Sequence, residues 1–167
     1  FYTYEELYNK IKAKQTDKDD KLIILYASDK QAQHSYIQNA KNKGYEVLLL
    51  DSPIVSHLIQ KLETSKENIQ FARVDSDHID NLINKDKNKI SKLNDDQKKE
   101  LEEIVKNIIN DDKFVIKLES MDSKDNPFII TNPEFMRRMK EMQQSGGGGM
   151  FGTGNMPEMF NLVINTN

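Results

Sequence analysis

The sequence predicts an α/β subdomain followed by an α+β domain. Three observations carry this prediction: strands alternate with helices over residues 1–74, a polar connector covers residues 75–94, and the order helix, strand, strand, helix, strand follows over residues 95–167. Alternating strands and helices indicate a small parallel three-stranded sheet, because each helix returns the chain across one face. The second order indicates a mainly antiparallel sheet with helices on one face.

The first region begins with a predicted helix and a buried strand. Thr3 and Glu6 have the spacing of a capping box, and the apolar residues after them recur at helical intervals. Leu22 to Ala27 is a continuous apolar run, which is typical of a strand covered on both faces. We expect this run to form the centre of the first sheet.

Two further helix and strand pairs complete the first region. Ser28 or Asp29 is expected to cap the second helix. The inner face of that helix is predicted to hold Ala32, Tyr36 and Ala40. Tyr45 to Leu50 and Ile69 to Val74 predict the second and third strands. Between them Ser52 and Pro53 begin a helix, with an apolar stripe of Ile54, Val55, Leu58, Ile59 and Leu62.

The first strand-to-helix turn lacks the residues of a phosphate site. It reads Ala27-Ser28-Asp29-Lys30, contains no glycine, and places an acidic residue at the start of the helix. A phosphate requires close backbone approach and tolerates no nearby carboxylate. We therefore favour a packed module without a small-molecule site over a nucleotide-binding one.

The second region, residues 95–167, has a different order of predicted helices and strands. Asn94 or Asp95 caps a predicted helix whose apolar residues are Leu101, Ile104, Val105 and Ile108. Phe114 to Glu119 predicts a strand, and Pro127 to Thr131 is expected to be its antiparallel partner. A helix follows from Asn132 to about Gln144, and Phe160 to Ile164 predicts the last strand.

Methionine and glycine are concentrated in one part of the chain. All seven methionines lie between Met121 and Met159, and six of the seven glycines lie between Gly146 and Gly154. Unbranched methionine side chains adapt to differing partners, whereas apolar residues at helical spacing ordinarily form core. Three interpretations stay open: core packing, an adaptable apolar binding surface, and membrane-surface contact by the helix, which its nearly uncharged flanks disfavour.

Composition excludes several functional classes. The chain has no cysteine, its three histidines are dispersed, and neither a Gly-x-Ser-x-Gly motif nor a Walker loop is present. A net charge of −3 and short apolar runs argue against nucleic acid and membrane as partners. The sequence predicts a cytoplasmic protein with no catalytic, metal-binding or cofactor-binding residues in this segment. Since it opens on Phe1 and ends directly after a strand, we expect a segment of a longer protein.

Three stretches resemble the bacterial branch of the heat-shock protein 90 chaperone family. They are Leu25-Tyr26-Ala27-Ser28-Asp29, then Gly44-Tyr45-Glu46-Val47-Leu48-Leu49-Leu50, and finally Met156-Pro157-Glu158-Met159 with Leu162-Val163-Ile164-Asn165-Thr166-Asn167. The resemblance covers the whole chain, with residues 1–74 similar to the last subdomain of the middle domain and residues 95–167 to the start of the C-terminal domain.

The resemblance implies an ATP-dependent, homodimeric, cytosolic chaperone that binds unfolded or partly folded client proteins. Its site for ATP and Mg²⁺ is expected in an N-terminal domain outside residues 1–167, and its final dimerisation helices after Asn167. This segment is then expected to contribute client-binding surface rather than ATP hydrolysis. The alternative is a scaffold or dimer-assembly segment in which the methionine-rich helix is buried against a partner.

Two client-binding regions are implied by the same resemblance. The first is an exposed amphipathic helix at Asn132 to Gln144, where the family's positions fall on Phe135, Met136, Met139 and Met142. The second is near Ser56, His57 and Gln60, where relatives carry a large aromatic residue and this chain carries His57. The glycine-rich insertion at Gly146 to Gly154 has no assigned role.

Overall fold

The computed structural model describes residues 2–52, 54–85, 91–144 and 158–167, with the side chains of the last helix described as far as Lys140. The chain divides into two compact units, Phe1–Asp86 and Lys87–Asn167. The helices are α1 Tyr4–Gln15, α2 His34–Asn42, α3 Val55–Ser65, α4 Ile79–Leu82, α5 Asp95–Ile109 and α6 Glu134–Gln144. The strands are β1 Leu22–Ala27, β2 Val47–Leu49, β3 Ile69–Arg73, β4 Phe114–Glu119, β5 Phe128–Thr131 and β6 Phe160–Asn165. An α/β unit followed by an α+β unit confirms the predicted fold class.

The first unit is built on a parallel sheet with the order β2-β1-β3. All six residues of β1 are buried, as the continuous apolar run predicts. Alternate residues of this strand enter two separate cores. One core holds Ile23, Leu25, Ala27, Ile37, Ala40, Ala72, Val74, Ile79 and Ile83. The other holds Leu7, Ile11, Leu22, Ile24, Tyr26, Ile59, Ile69 and Phe71.

A buried glutamine completes the sheet where β2 is too short. The pairing of β2 with β1 begins only at Leu25, opposite Val47. Gln15, at the end of α1, is 1% exposed; its Nε2 donates to Ile23 O at 2.9 Å and its Oε1 accepts from Glu46 N at 2.7 Å. One amide side chain therefore satisfies backbone groups that a longer β2 would otherwise pair.

At the opposite edge of this sheet, a carboxylate pairs with the backbone of β3. Glu63, on α3, accepts a hydrogen bond from Phe71 N through Oε1 at 2.8 Å. Because β3 pairs with β1 on its other side, this N–H belongs to the outer edge of the sheet.

Residues 75–85, predicted as the first part of a connector, pack with the first unit. Ile79 and Ile83 are 4% and 2% exposed and lie in the same core as β1. In addition, Lys18 N donates to Asn84 O at 2.9 Å, which joins the end of this segment to the turn before β1.

The start of α2 differs from its prediction. Asp29 Oδ1 accepts from the amides of Gln31 and Ala32, so the chain makes a turn first and the helix begins only at His34. Ala32 is consequently exposed, and Ile37 takes the inner position beside Ala40. The prediction that Ala32 faces inward is wrong.

The second unit contains a mixed sheet with the order β4-β6-β5. β6 pairs parallel with β4 and antiparallel with β5. The prediction that β5 pairs with β4 is therefore wrong, and the sheet is mixed rather than mainly antiparallel. Val163, in the middle of β6, is fully buried, whereas Val115 of β4 is 40% exposed. β6, the most deeply buried of the three strands, occupies the centre, where both of its faces are covered.

α5 has the predicted N-cap, but part of its apolar face is exposed to solvent. Asn94 Oδ1 accepts from Gln97 N at 2.8 Å, and the Gln97 side chain accepts from Asn94 N, which completes a capping box. None of the α5 side chains, all of which the structure describes, is fully buried. Ile104 and Ile108, two of the apolar residues at helical spacing, are 48% and 76% exposed.

Candidate functional site

The methionine-rich helix α6 exposes its aromatic residue. Phe135 is 69% exposed, one of the highest values among the large apolar side chains of the described residues. Met136 and Met139 are half-buried. Met142 lies in α6, but its side chain falls outside the described part of the structure. Of the predicted client-binding residues of α6 whose side chains are described, Phe135 therefore lies in solvent, and Met136 and Met139 are partly covered by the protein.

The buried side of α6 carries a charge. The Arg137 side chain is 9% exposed and bonds with Glu134, its Nη2 donating to Oε1 at 2.5 Å and its Nε to Oε2 at 3.2 Å. Arg138 Nε donates to the same Oε1 at 2.7 Å, but its side chain is 41% exposed. Glu134 also stands in the first turn of the helix, where the helix dipole favours a carboxylate.

A second ion pair joins α6 to the residues before β6. Lys140 Nζ donates to Glu158 Oε1, and this contact holds the pKa of the Glu158 carboxyl below its usual range. Both side chains are about half-exposed, so we expect this pair to contribute little to stability.

The second predicted region lies on the outer face of α3. Ser56, His57 and Gln60 are all exposed there, as a binding role would require. Two apolar side chains accompany them: Ile54 is 66% exposed and Leu58 is 43% exposed.

Sequence reasoning placed Ile54 and Leu58 on the inner stripe, and this is wrong. Ile59 is the buried centre of α3, and Leu58 lies about 100° from it around the helix, at the margin of the packed face. Ile54 is the N-cap residue that precedes the helix, and Leu58 lies at one edge of the stripe, so both lie outside its buried part.

The turn after β1 is closed by a side chain of the protein itself. Gln33 Oε1 accepts from Ser28 N at 2.8 Å and from Asp29 N at 3.0 Å. Gln33 is 5% exposed, so this contact belongs to the packed unit. The amides that would face a phosphate at such a turn are thus already engaged, which is a physical argument against a nucleotide at this position.

The three histidines occupy different surroundings. His34 and His57 are exposed on α2 and α3, while His78 is 2% exposed at the start of α4.

Of the helices in the described ranges, none has the length and apolar character needed to cross a membrane.

Comparison with known proteins gives a consistent result. No family model matches the chain. It is 42% identical over 168 residues to a protein named chaperone protein HtpG from Bacteroides fragilis, and equally identical to the one from Bacteroides thetaiotaomicron. The HtpG of Porphyromonas gingivalis is 39% identical over 168 residues. Each alignment includes 99% of this chain and 24% of the relative.

The chain therefore spans about a quarter of the length of the curated relatives it matches. The match extends over α3 and α6 together, because it includes nearly every residue of the chain. The resemblance seen in the sequence is confirmed: this chain matches, over almost its whole length, a segment of the bacterial chaperone HtpG.

Proposed function

We propose that this chain forms part of the client-binding surface of an ATP-dependent chaperone. Its relatives are named chaperones, and the observation that carries the proposal is the 69% exposure of Phe135 on α6. An aromatic side chain left in water is available to cover apolar segments of an unfolded chain, at about 25 cal/mol per Å² of apolar area removed from water. Met136, Met139 and Met142 extend the same helix with side chains that adapt to varied shapes.

The outer face of α3 supplies a second contact area in this proposal. His57 and Gln60 stand at the positions that the resemblance implies, and the exposed Ile54 and Leu58 provide the apolar area that His57 alone lacks. Contact over both areas is broad and weak per residue, so we expect low selectivity between clients.

The activity of the longer protein is likewise proposed. We expect it to bind ATP and Mg²⁺ at a site outside residues 1–167, to form a homodimer, and to act in the cytoplasm in the response to stress. Within the segment, the proposed role is binding of unfolded or partly folded clients, without nucleic acid or membrane partners and without a catalytic or metal site of its own.

The test replaces three of the predicted client-binding residues of α6. A variant carrying Phe135→Ser, Met139→Ser and Met142→Ser should suppress the aggregation of an unfolded client less well than the parent chain. Light scattering of a thermally unfolding client measures this loss, and circular dichroism checks that the variant is folded.

A matched control removes exposed apolar residues elsewhere in the same unit. Val115→Ser, Phe128→Ser and Ile130→Ser change side chains that are 40%, 55% and 46% exposed. We expect this control to retain suppression. Equal loss in both variants, or no loss in the α6 variant, would contradict the proposed surface.

The exposure of Phe135 is also compatible with a second candidate function, a scaffold or assembly segment in which α6 packs against a partner. This candidate predicts that methionine oxidation, followed residue by residue by mass spectrometry, slows as the protein concentration rises. The client-binding proposal predicts oxidation that is independent of concentration, together with a monomer in sedimentation velocity.

A further inference from the structure

The two edges of the first sheet differ. At the edge formed by β3, the N–H of Phe71 donates to the Glu63 side chain at 2.8 Å. The other edge is formed by β2, and the strands of the described residues include none on its outer side. Such an edge presents backbone N–H and C=O groups with which an extended chain can pair.

The hydrogen bonds of β2 show which of its backbone groups point outward. Leu50 N donates to the last carbonyl of β1 at 2.8 Å. On the same side, Glu46 N donates to the Gln15 side chain at 2.7 Å. Because successive residues of a strand direct their backbone groups to opposite sides, Val47 and Leu49 present theirs at the outer edge.

An apolar row runs along one face of this edge. Tyr45, Val47 and Leu49 share that face, because side chains alternate along a strand. Leu49 is 50% exposed, while Tyr45 and Val47 pack against the core that contains Ile37 and Ala40. A strand added beside β2 would place every second side chain next to this row, where cross-strand pairs stabilise a sheet.

Two lysines lie where the edge begins. The Lys14 Nζ is 3.1 Å from the point that a Cβ on Gly44 would occupy. The Lys85 Nζ is 5.8 Å from the centre of the Tyr45 ring. Both ammonium groups therefore stand beside the residues that lead into β2.

Two further lysines in this region are paired with carboxylates. Lys10 lies 3.1 Å from Glu46, and Lys43 lies 2.8 Å from Asp80. Burial and the Asp80 charge raise the pKa of Tyr45, and Lys43 opposes them, so this pair is also close to the edge. The two pairs balance their own charges, and Lys14 and Lys85 give the beginning of the edge an excess of positive charge.

We propose that the outer edge of β2 binds, by strand addition, an extended segment of another protein that carries acidic side chains at one end. Val47 and Leu49 supply the backbone contacts, and Lys14 and Lys85 attract the acidic end. Since β2 has three residues, the bound segment is short. The site lies in the first unit and does not depend on the proposed role of α6.

Peptide binding to the 167-residue chain tests the proposal. The probe is a fluorescein-labelled peptide in which valine and threonine alternate and glutamates stand at one end. Fluorescence anisotropy should show saturable binding that weakens as salt is added. A peptide with lysines in place of the glutamates should bind about tenfold more weakly. A lack of saturable binding, or equal affinity for the two peptides, would overturn the proposal.

Leu49→Pro tests the backbone contact. Proline removes an N–H that β1 does not use, so the sheet should remain. Leu49→Ala also shortens the side chain but keeps the N–H, and the proline variant should bind the acidic peptide about fivefold more weakly than this control. Equal binding by the two folded variants would contradict strand addition.

Peptides N-methylated at alternate amides give the same information if Leu49→Pro does not fold. Each pattern of methylation blocks one edge of the extended peptide, and the acidic end and the valine face fix which edge meets β2. Strand addition predicts that one methylated peptide binds the parent chain and the other does not. Equal affinity for both would overturn it.

Charge reversal on α1 tests the contact with the acidic end. Lys14→Glu should weaken binding of the acidic peptide about fivefold. Lys12→Glu makes the same change about 200° around the helix, where Lys12 lies over the Tyr8 ring, and should leave the affinity unchanged. Equal losses would mean that only the net charge of the chain matters, against the proposed site.

Two controls separate this site from a second copy of the chain and from the proposed function. A dimer of the parent in sedimentation velocity that is absent in Leu49→Pro would assign the edge to a second copy and overturn the proposal. The variant with three serines in α6 should keep its affinity for the acidic peptide. Loss of that affinity would place the peptide elsewhere, whereas loss of client holding alone leaves the β2 site intact.

Discussion

At the scale of single residues, the Gln15 side chain makes the backbone hydrogen bonds that a longer β2 would otherwise make. It satisfies one carbonyl of β1 and one amide before β2 from a position that is almost fully buried. Removing the Gln15 amide would leave the carbonyl of the buried Ile23 without this donor and the amide of Glu46 without this acceptor. A buried polar group left without a partner costs more free energy than its hydrogen bond contributes.

We therefore expect Gln15→Leu to lower the free energy of unfolding of the first unit by about 2 kcal/mol. Urea denaturation followed by circular dichroism measures the change. Gln38→Leu is the control. Gln38 is exposed on α2, and its Nε2 lies 3.5 Å from the His34 ring nitrogen Nε2, a contact at the surface. Similar stability of the two variants would show that the Gln15 bonds contribute nothing beyond side-chain volume.

The capping box of α1 gives a prediction of pH dependence. Glu6 accepts hydrogen bonds from the backbone amide and hydroxyl of Thr3, and these bonds lower the pKa of the Glu6 carboxyl. Since the folded pKa lies below the unfolded one, the stabilisation is present above about pH 4.3, the ordinary glutamate value, and is lost as the pH falls through the folded pKa.

Glu6→Gln should accordingly be less stable than the parent at neutral pH, and the difference should shrink as the solution is acidified. Thermal unfolding at a series of pH values measures it. Glu5→Gln changes the same helical turn outside the capping box and should show no such convergence. A Glu6→Gln deficit that is independent of pH would contradict the assignment.

At the scale of elements, the central position of β6 organises the second unit. Val163 is 0% exposed there, while Val115, on the neighbouring strand β4, is 40% exposed. Deleting methyl groups costs stability mainly where the site cannot be refilled by water or by neighbours.

Val163→Ala should lower the stability of the second unit by about 2 kcal/mol, and Val115→Ala by less than about 0.5 kcal/mol. Both are the same chemical change in one sheet, so denaturant midpoints compare them directly. Comparable losses would place the core of this unit elsewhere than along β6.

Local patterns predicted the elements better than they predicted their partners. Thr3, Glu6 and Asn94 act on residues three positions away, so their capping roles follow from spacing alone. The pairing of β6 between β4 and β5 depends on which strand gains most from burial on two faces, and no local spacing reports this.

In the candidate site, too, local patterns predict the elements better than they predict the packing of individual side chains. Its helix and the exposure of Phe135 follow from helical spacing together with the resemblance. The burial of Arg137 does not, because a charged residue is expected in solvent until a paired carboxylate is seen beside it. Likewise the exposure of Ile54 and Leu58 depends on where the margin of α3 packing falls.

At the scale of the whole molecule, the first unit closes both faces of its sheet with its own helices. Its two cores include residues from α1 through Ile83. A polypeptide of residues 1–86 should therefore fold by itself and unfold cooperatively in urea.

A shorter polypeptide of residues 1–74 should be less stable by at least about 2 kcal/mol, because it lacks the buried Ile79 and Ile83. Equal stability of the two polypeptides would mean that the segment after Val74 is only a connector, as its polar composition suggests.

The hydrogen bond between Glu63 and Phe71 has a consequence for the behaviour of the sheet edge towards other extended chains. An exposed sheet edge is a template on which extended segments of other chains pair and aggregates grow. Because a carboxylate of the protein already accepts this outer N–H of β3, an approaching strand finds a negative charge where it would need to place its own carbonyl. The contact that occupies this edge position thus disfavours edge-to-edge aggregation of the protein.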